Sequence, residues 1–338
     1  MSTDPLGVLL VSFASIGGQA HQKTMYLPRL RSHPSLQLVA VADEADAPAE
    51  LHALNQREAD ALSVPYIREL DAALSDPRVD VVCVCCPLER RAAVLERVAA
   101  AGKSALVDKP LAPSLAECDA IARAFGGRVC MPAYHYRFNP AIRSARAAVV
   151  GGTIGLPWAL HAEFVIASGT AAWPLGELLN FGLYPIDAIR AILGIEVRSV
   201  YATSGAFFYG GDGDDLSVLA LNMDHGVVAT TSVGRAPTTG HPHGYGGDRR
   251  VRVMGSHGTI VVDAGSPSLA VYANGRAEQR FYGTDSIEAL VDHFVSAVRG
   301  EVGPELGPRD ARAALQVILA ARESAVSNRL VELQENSA

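Results

Sequence analysis

The chain has 338 residues, 49% of them apolar, and its 36 Asp+Glu against 29 Lys+Arg leave a net charge of −7. Such a length has room for two domains and a sizeable core, and the acidic balance offers no basic face to a nucleic acid. No apolar run approaches the roughly 18 residues that span a bilayer, and MSTDPLG lacks the basic start of a secretory leader, so a cytoplasmic protein touching neither nucleic acid nor membrane is expected.

In chain order, LGVLLVSF is the first continuous apolar run, as found in strands buried on both faces of a parallel sheet. LQLVAVAD (36–43), VDVVCVCC (79–86) and the shorter SALVDKP (104–110) repeat it. Between them lie helical stretches such as LERRAAVLERVAAAG, closed by Gly102. Ser114 and Glu117 stand in the S-x-x-E spacing of a capping box that opens the next helix. This rhythm predicts a Rossmann-type, doubly wound parallel sheet over residues 1–126. The five cysteines, Cys83, Cys85, Cys86, Cys118 and Cys130, lie in apolar segments without C-x-x-C spacing, so they read as buried small hydrophobes in a reducing compartment. With no H-E-x-x-H pattern either, no metal site is expected.

From residue 127 the rhythm changes. RVCMPAYHYRF is strand-like, SARAAVVGG helical, LPWALHAEFVIASG a long strand, and GELLNFGLYPIDAIRAILG a helix closed by Gly194. VRSVYATSG, DLSVLALNMD, GVVATTSVGR, RRVRVMGS, GTIVVDA and SLAVYAN then follow one another without helices, predicting an open-faced, predominantly antiparallel sheet. The fold class is therefore α/β: a Rossmann domain, then an α/β domain over 127–338 with a last helix at 309–327.

A phosphate-binding turn follows the first strand of a dinucleotide fold. Here that turn is Ser12-Phe13-Ala14-Ser15-Ile16-Gly17, with Ser12 and Ala14 where G-x-G-x-x-G has its first two glycines. Both are small enough for backbone to approach a pyrophosphate, and Gly17 keeps its place. Asp43 ends the second strand, where a carboxylate accepts hydrogen bonds from an adenosine ribose and repels a 2′-phosphate. It favours NAD, with NADP the alternative, although a strand-end acid is also ordinary surface chemistry. Lys109, in Asp108-Lys109-Pro110 at the end of the fourth strand, has an ammonium suited to stabilising alkoxide character during hydride transfer. A lysine before a turn can equally be plain surface. Asn180, Tyr184 and Asp187 fall at i, i+4 and i+7 of an otherwise apolar helix, a stripe that is either wet surface or the wall of a site. Tyr184 brings a phenol able to pass a proton. Arg137 reaches a substrate or pairs with an acid, and Trp173 offers a ring face to a sugar or packs in a core. His241 and His243 sit in RAPTTGHPHGYGGDRR, an inter-strand loop long enough to be functional, where they enter a pocket or stay solvated.

These segments, in this order, resemble the glucose-fructose oxidoreductase/inositol dehydrogenase/rhizopine catabolism (Gfo/Idh/MocA) family over almost the whole chain. The residues that carry the resemblance are AAAGKSALVDKPLAPSLAECDAI, YHYRFNPAI, GTIGLPWALHAEF, LLNFGLYPIDAIRAILG and VMGSHGTIVVD, with D-K-P similar to the family's E-K-P. The resemblance implies NAD(P)-dependent oxidation or reduction of sugars, cyclitols and related alcohols or ketones. It maps the family's working lysine onto Lys109, and its aspartate and histidine onto Asn180 and Tyr184. Tyrosine at that place is similar to the sugar-oxidoreductase and dihydrodiol-dehydrogenase branches, where it is the proposed acid/base. Asn180 can orient a substrate but cannot change charge. The family's T-P-N becomes Cys86-Pro87-Leu88, and Arg91 stands where a histidine is common.

On this reading the catalytic residues are Lys109, Tyr184 and Asn180. The cofactor is held by residues 12–17, Asp43, Cys86, Pro87, Lys109 and Pro110. The substrate meets Lys109, Arg137, Trp173, Asn180, Tyr184, His241 and His243. The alternatives are a cofactor-binding regulatory protein without turnover, and a transient-redox enzyme with tightly held NAD. An open sheet implies an apolar face that meets a partner, and a homodimer or homotetramer is expected.

Overall fold

A computed structural model of the chain describes residues 4–15, 19–167, 173–237, 247–265, 268–273, 275–281 and 286–334. It divides into two compact units, Met1–Ala133 with Ile287–Arg312, and Tyr134–Ser286 with Ala313–Ala338. Among the described residues, no helix is long and apolar enough to cross a membrane.

The first unit runs β1 (Leu6–Val11), α1 (Leu27–Ser32), β2 (Leu36–Ala42), α2 (Ala49–Leu62), β3 (Tyr66–Ile67), α3 (Leu70–Leu74), β4 (Val81–Val84), α4 (Arg91–Ala100), β5 (Ser104–Val107), α5 (Leu115–Phe125) and β6 (Cys130–Pro132). Its described strands form one parallel sheet in the order β3-β2-β1-β4-β5-β6, the doubly wound order of dinucleotide folds. Val8 to Val11 and Val81 to Val84 are buried throughout, which is why both strands are continuous apolar runs rather than alternating ones. Ser114 caps α5 as its spacing predicts, its Oγ accepting from the Glu117 amide, and Gly126 closes that helix in the left-handed conformation. All five cysteines are buried and free.

The unit boundary expected at 126/127 falls at Ala133/Tyr134. Cys130–Pro132, read from sequence with the second domain, pairs with β5 as a sixth parallel strand. Periodicity cannot assign a three-residue strand to a sheet; only its partner can.

The second unit contains α6 (Pro140–Val150), β7 (Pro157–Ala167), α7 (Glu177–Phe181), α8 (Leu183–Leu193), β8 (Val197–Gly205), β9 (Leu216–Met223), β10 (Val228–Ala236), β11 (Gly247–Asp248), β12 (Arg250–Gly255), β13 (Gly258–Asp263), β14 (Ser268–Ala273) and β15 (Arg276–Phe281). After α9 (Ser286–Val298), which belongs mostly to the first unit, come α10 (Pro308–Ser327) and β16 (Val331–Glu332). The described strands form one sheet, β15-β14-β13-β12-β7-β10-β9-β8-β16, with β11 against β7. Its pairs are antiparallel except β7 with β10. Leu160, Ala162, Phe164, Leu219, Leu221 and Val233 face the core, where α8 packs on β7 and β10. The alternate positions Tyr201, Val218 and Val228 stay exposed beside His161 and Glu163, so the open face is mixed rather than wholly apolar.

The predicted single helix 176–194 is two short helices meeting at Gly182. A Cβ there would lie 2.4 Å from the Leu178 carbonyl oxygen and 2.5 Å from the Ile318 side chain of α10. Gly182 is thus the residue that lets α10 approach this closely.

Candidate active site

The turn after β1 carries Ser12 and Ala14 in the places of the first two glycines of a dinucleotide turn. Ser12 adopts φ 66, the left-handed region that glycine ordinarily fills. Its Oγ accepts from the Ala14 amide at 3.3 Å and the side chain is wholly buried. Ser15 is exposed, while Ile16 and Gly17 lie outside the described residues. Left-handed backbone costs a non-glycine residue about 1–2 kcal/mol, and a β-branched side chain fits it worst. Ser12→Val should therefore lower stability by about 2 kcal/mol, whereas Ser12→Gly should leave it within about 0.5 kcal/mol, lost strain offsetting added chain entropy; urea denaturation reads both.

Asp43 follows β2 and is almost fully buried. Its Oδ1 accepts from the Glu44 amide at 2.9 Å and its Oδ2 from Asn55 Nδ2 at 2.7 Å. Each carboxylate oxygen has a second lone pair, so the group keeps acceptor capacity for ribose hydroxyls. Next to it, Glu44 pairs with Arg90 at 2.6 Å and Arg97 at 3.1 Å. Those guanidiniums also meet Asp46 and Asp71, so neither arrives uncompensated. These acceptors fit the adenosine ribose of a nicotinamide dinucleotide.

Beyond β5, Asp108 is buried under three side chains. Tyr26 OH donates to it at 2.6 Å, His21 Nδ1 lies 3.0 Å away, and Arg91 Nη2 is at 3.9 Å. Burial alone would push the Asp108 carboxyl up. The His21 charge and hydrogen bond, followed by Arg91 and Lys109, hold it well below the usual carboxylate range instead. Lys109 is 1% exposed, not a surface lysine, and its peptide to Pro110 is cis. Arg91, wholly buried, reaches the carbonyls on both sides of it: Nη1 donates to Asp108 O at 2.8 Å and to Pro110 O, and Nη2 to Cys86 O at 2.9 Å. The Cys86 thiol is pushed up to about 12 by burial, so at neutral pH it is an uncharged packing group.

In the second unit the stripe on α7 and α8 is not wet surface. Asn180, Tyr184 and Asp187 are all buried. Asp187 takes Arg137 in a two-point pair, Nε at 2.9 Å and Nη2 at 2.5 Å, the second of the two roles open to that arginine. Asn180 Nδ2 donates to Glu177 Oε2 at 2.8 Å, while Glu177 Oε1 accepts from Arg235 Nε at 3.0 Å and from the Trp173 amide at 2.9 Å. The Tyr184 ring packs edge-on to His135, centroids 4.9 Å apart, and against Phe164 at 5.2 Å. Trp173 is half-buried, and His241 and His243 lie outside the described residues.

Glu177, Arg235, His21, Tyr26 and Asn55 escaped the sequence reading. Glu177 carried a local signal, an acid one turn before Asn180 on an apolar helix. Arg235, 58 positions from Glu177, and His21, 87 from Asp108, carried none.

Two family descriptions match the chain: "Oxidoreductase family, NAD-binding Rossmann fold" over residues 11–134, and "GFO/IDH/MocA C-terminal domain" over residues 142–261. An inositol 2-dehydrogenase of Rhizobium meliloti (strain 1021) is 28% identical, covering 96% of this chain and 100% of that protein. A scyllo-inositol 2-dehydrogenase (NAD(+)) of Bacillus subtilis (strain 168) is 26% identical over 91% of this chain and 90% of its own. In fold, the chain matches an Agrobacterium radiobacter oxidoreductase crystallised with NAD+, L-tartaric acid and magnesium, with TM-score 0.82, 19% identity and coverage of 97% and 98%. A Rossmann unit of the 3-2-1-4-5-6 order and a mixed, mostly antiparallel sheet, matched in sequence over both parts, make this chain an NAD-binding oxidoreductase of the Gfo/Idh/MocA family.

Proposed function

We propose that the protein transfers hydride between NAD(H) and the carbinol carbon of a cyclitol, sugar or keto-sugar. The observation that carries this reading is the placing of a buried lysine, Lys109, at the carboxyl end of β5 in a parallel sheet whose β2 leads into Asp43. Ligands of such sheets bind outside the carboxyl ends of the strands. The names of the two dehydrogenase relatives support a polyol substrate.

Bound NAD supplies the redox couple, taking or giving the hydride. Lys109 binds the reacting oxygen and stabilises its developing negative charge. Tyr184 passes the hydroxyl proton. Asn180, its amide oriented by Glu177, positions that hydroxyl without changing charge. The Asp43 and Glu44 carboxylates support NAD over NADP, because a 2′-phosphate would face two acids whose neighbouring arginines are already paired. The exposed strand face around Val218 and Val228 supports a homodimer or homotetramer.

Fluorescence titration with NADH and NADPH, then NAD reduction with a panel of inositols and aldoses, tests this reading. NADH should bind more tightly than NADPH and one polyol class should be oxidised; binding of neither nucleotide would refute it. With the active polyol, Tyr184→Phe should lower kcat about 10²-fold and leave NADH affinity unchanged. Full turnover in that variant removes the phenol from the proton path.

A further inference from the structure

We propose that Asn55 is a positioning residue that ties the turn after β1 to the Asp43 carboxylate and thereby sets the preference for NAD(H) over NADP(H). The inference rests on the reading that the first unit binds a nicotinamide dinucleotide, and extends it to a residue outside both expected binding elements.

Asn55 lies on α2 and is wholly buried. Its carboxamide spans the two elements. Oδ1 accepts from the Phe13 amide at 2.8 Å, and Nδ2 donates to Asp43 Oδ2 at 2.7 Å. The residues joined are 42 positions apart on one side and 12 on the other. One turn earlier on α2, His52 Nδ1 meets the Tyr66 hydroxyl at 2.5 Å.

A carboxamide serves both bonds at once. It offers an acceptor to a backbone N–H and a donor to a carboxylate. An aspartate could keep the first bond but would set one acid against another, and an alanine makes neither. In a turn with two glycines the backbone takes its shape from glycine's conformational freedom. Here Ser12 takes the left-handed conformation, Phe13 buries its ring, and Asn55 secures the Phe13 amide from the side.

The same bond controls discrimination. Asp43 Oδ1 is fixed by the Glu44 amide and Oδ2 by Asn55. A carboxylate bonded at both oxygens cannot turn its plane. It keeps a lone pair on each oxygen for ribose hydroxyls, and it cannot swing away from a 2′-phosphate. Without Asn55, Asp43 is free to rotate, so NADH loses a prearranged acceptor while NADPH loses part of its repulsion.

Asn55→Ala and the isosteric Asn55→Asp test this by fluorescence titration with NADH and NADPH, alongside thermal unfolding. Both should weaken NADH binding about tenfold and change NADPH binding by less than about twofold, so that the preference ratio falls at least about fivefold. A purely structural role would move both affinities together and spare the ratio. If Asn55→Ala does not fold, Asn55→Asp still decides, since it keeps an acceptor for the Phe13 amide while replacing the donor to Asp43 with a second acid that turns that carboxylate away. A parent protein that binds NADH, and whose preference survives both substitutions, overturns this inference alone. A parent that binds neither nucleotide overturns the functional reading and this inference with it.

Discussion

Replacing Lys109 with methionine is expected to lower kcat about 10³-fold with the active polyol, while the fold and most NADH affinity survive. Methionine matches the length of the buried stem, so no large cavity opens. The ammonium is lost, and with it the positive charge that would sit against the developing alkoxide. Asp108 is not left bare, because Tyr26 OH and His21 still hydrogen-bond it and Arg91 stays at 3.9 Å. That leaves the chemical step as the main casualty. Steady-state kinetics beside an NADH titration separate the two effects. Turnover within tenfold of the parent would remove Lys109 from the reaction, whereas a matched loss of nucleotide binding would make it a cofactor ligand only.

The second large effect is structural. Arg91→Ala should cost about 3–5 kcal/mol of unfolding free energy, read as a lower urea midpoint with unchanged slope. The guanidinium is wholly buried and donates to three carbonyls from the ends of two adjacent strands, Cys86, Asp108 and Pro110. Each carbonyl left without a donor in a dry interior costs about 1–3 kcal/mol, and Asp108 would lose one of its compensating charges. Arg91→Lys should recover only part of the loss, since an ammonium cannot span three acceptors in the plane of a guanidinium fork. A loss of unfolding free energy below about 1 kcal/mol would mean that water replaces the arginine readily.

Arg91 also shows how far sequence carries. Its position identifies it as a departure from the family's histidine, but nothing local says that it grips the backbone on both sides of Lys109. Glu177 is a similar case. It stands in plain view one turn before Asn180, yet its weight comes from Arg235, which only the pairing of β10 with β7 and β9 brings near.

What the sequence by itself determined is what repeats locally or is chemically rare. Unbroken apolar runs of four or more residues mark strands buried on both faces. Ser114 with Glu117, Gly126 and Gly194 mark helix ends. Asp43, Lys109 and the Asn180–Tyr184 spacing mark the candidate site, because a polar group at a strand end or on an apolar helix needs a use or a partner. The tertiary structure alone supplied the partners and the burial. Arg137 has Asp187, and Lys109 is buried instead of solvated. Cys130–Pro132 joins the parallel sheet, and Asn55 clasps the altered turn. Each of these turns on residues far apart in the chain meeting in space, a distance to which a residue's neighbours in sequence give no measure.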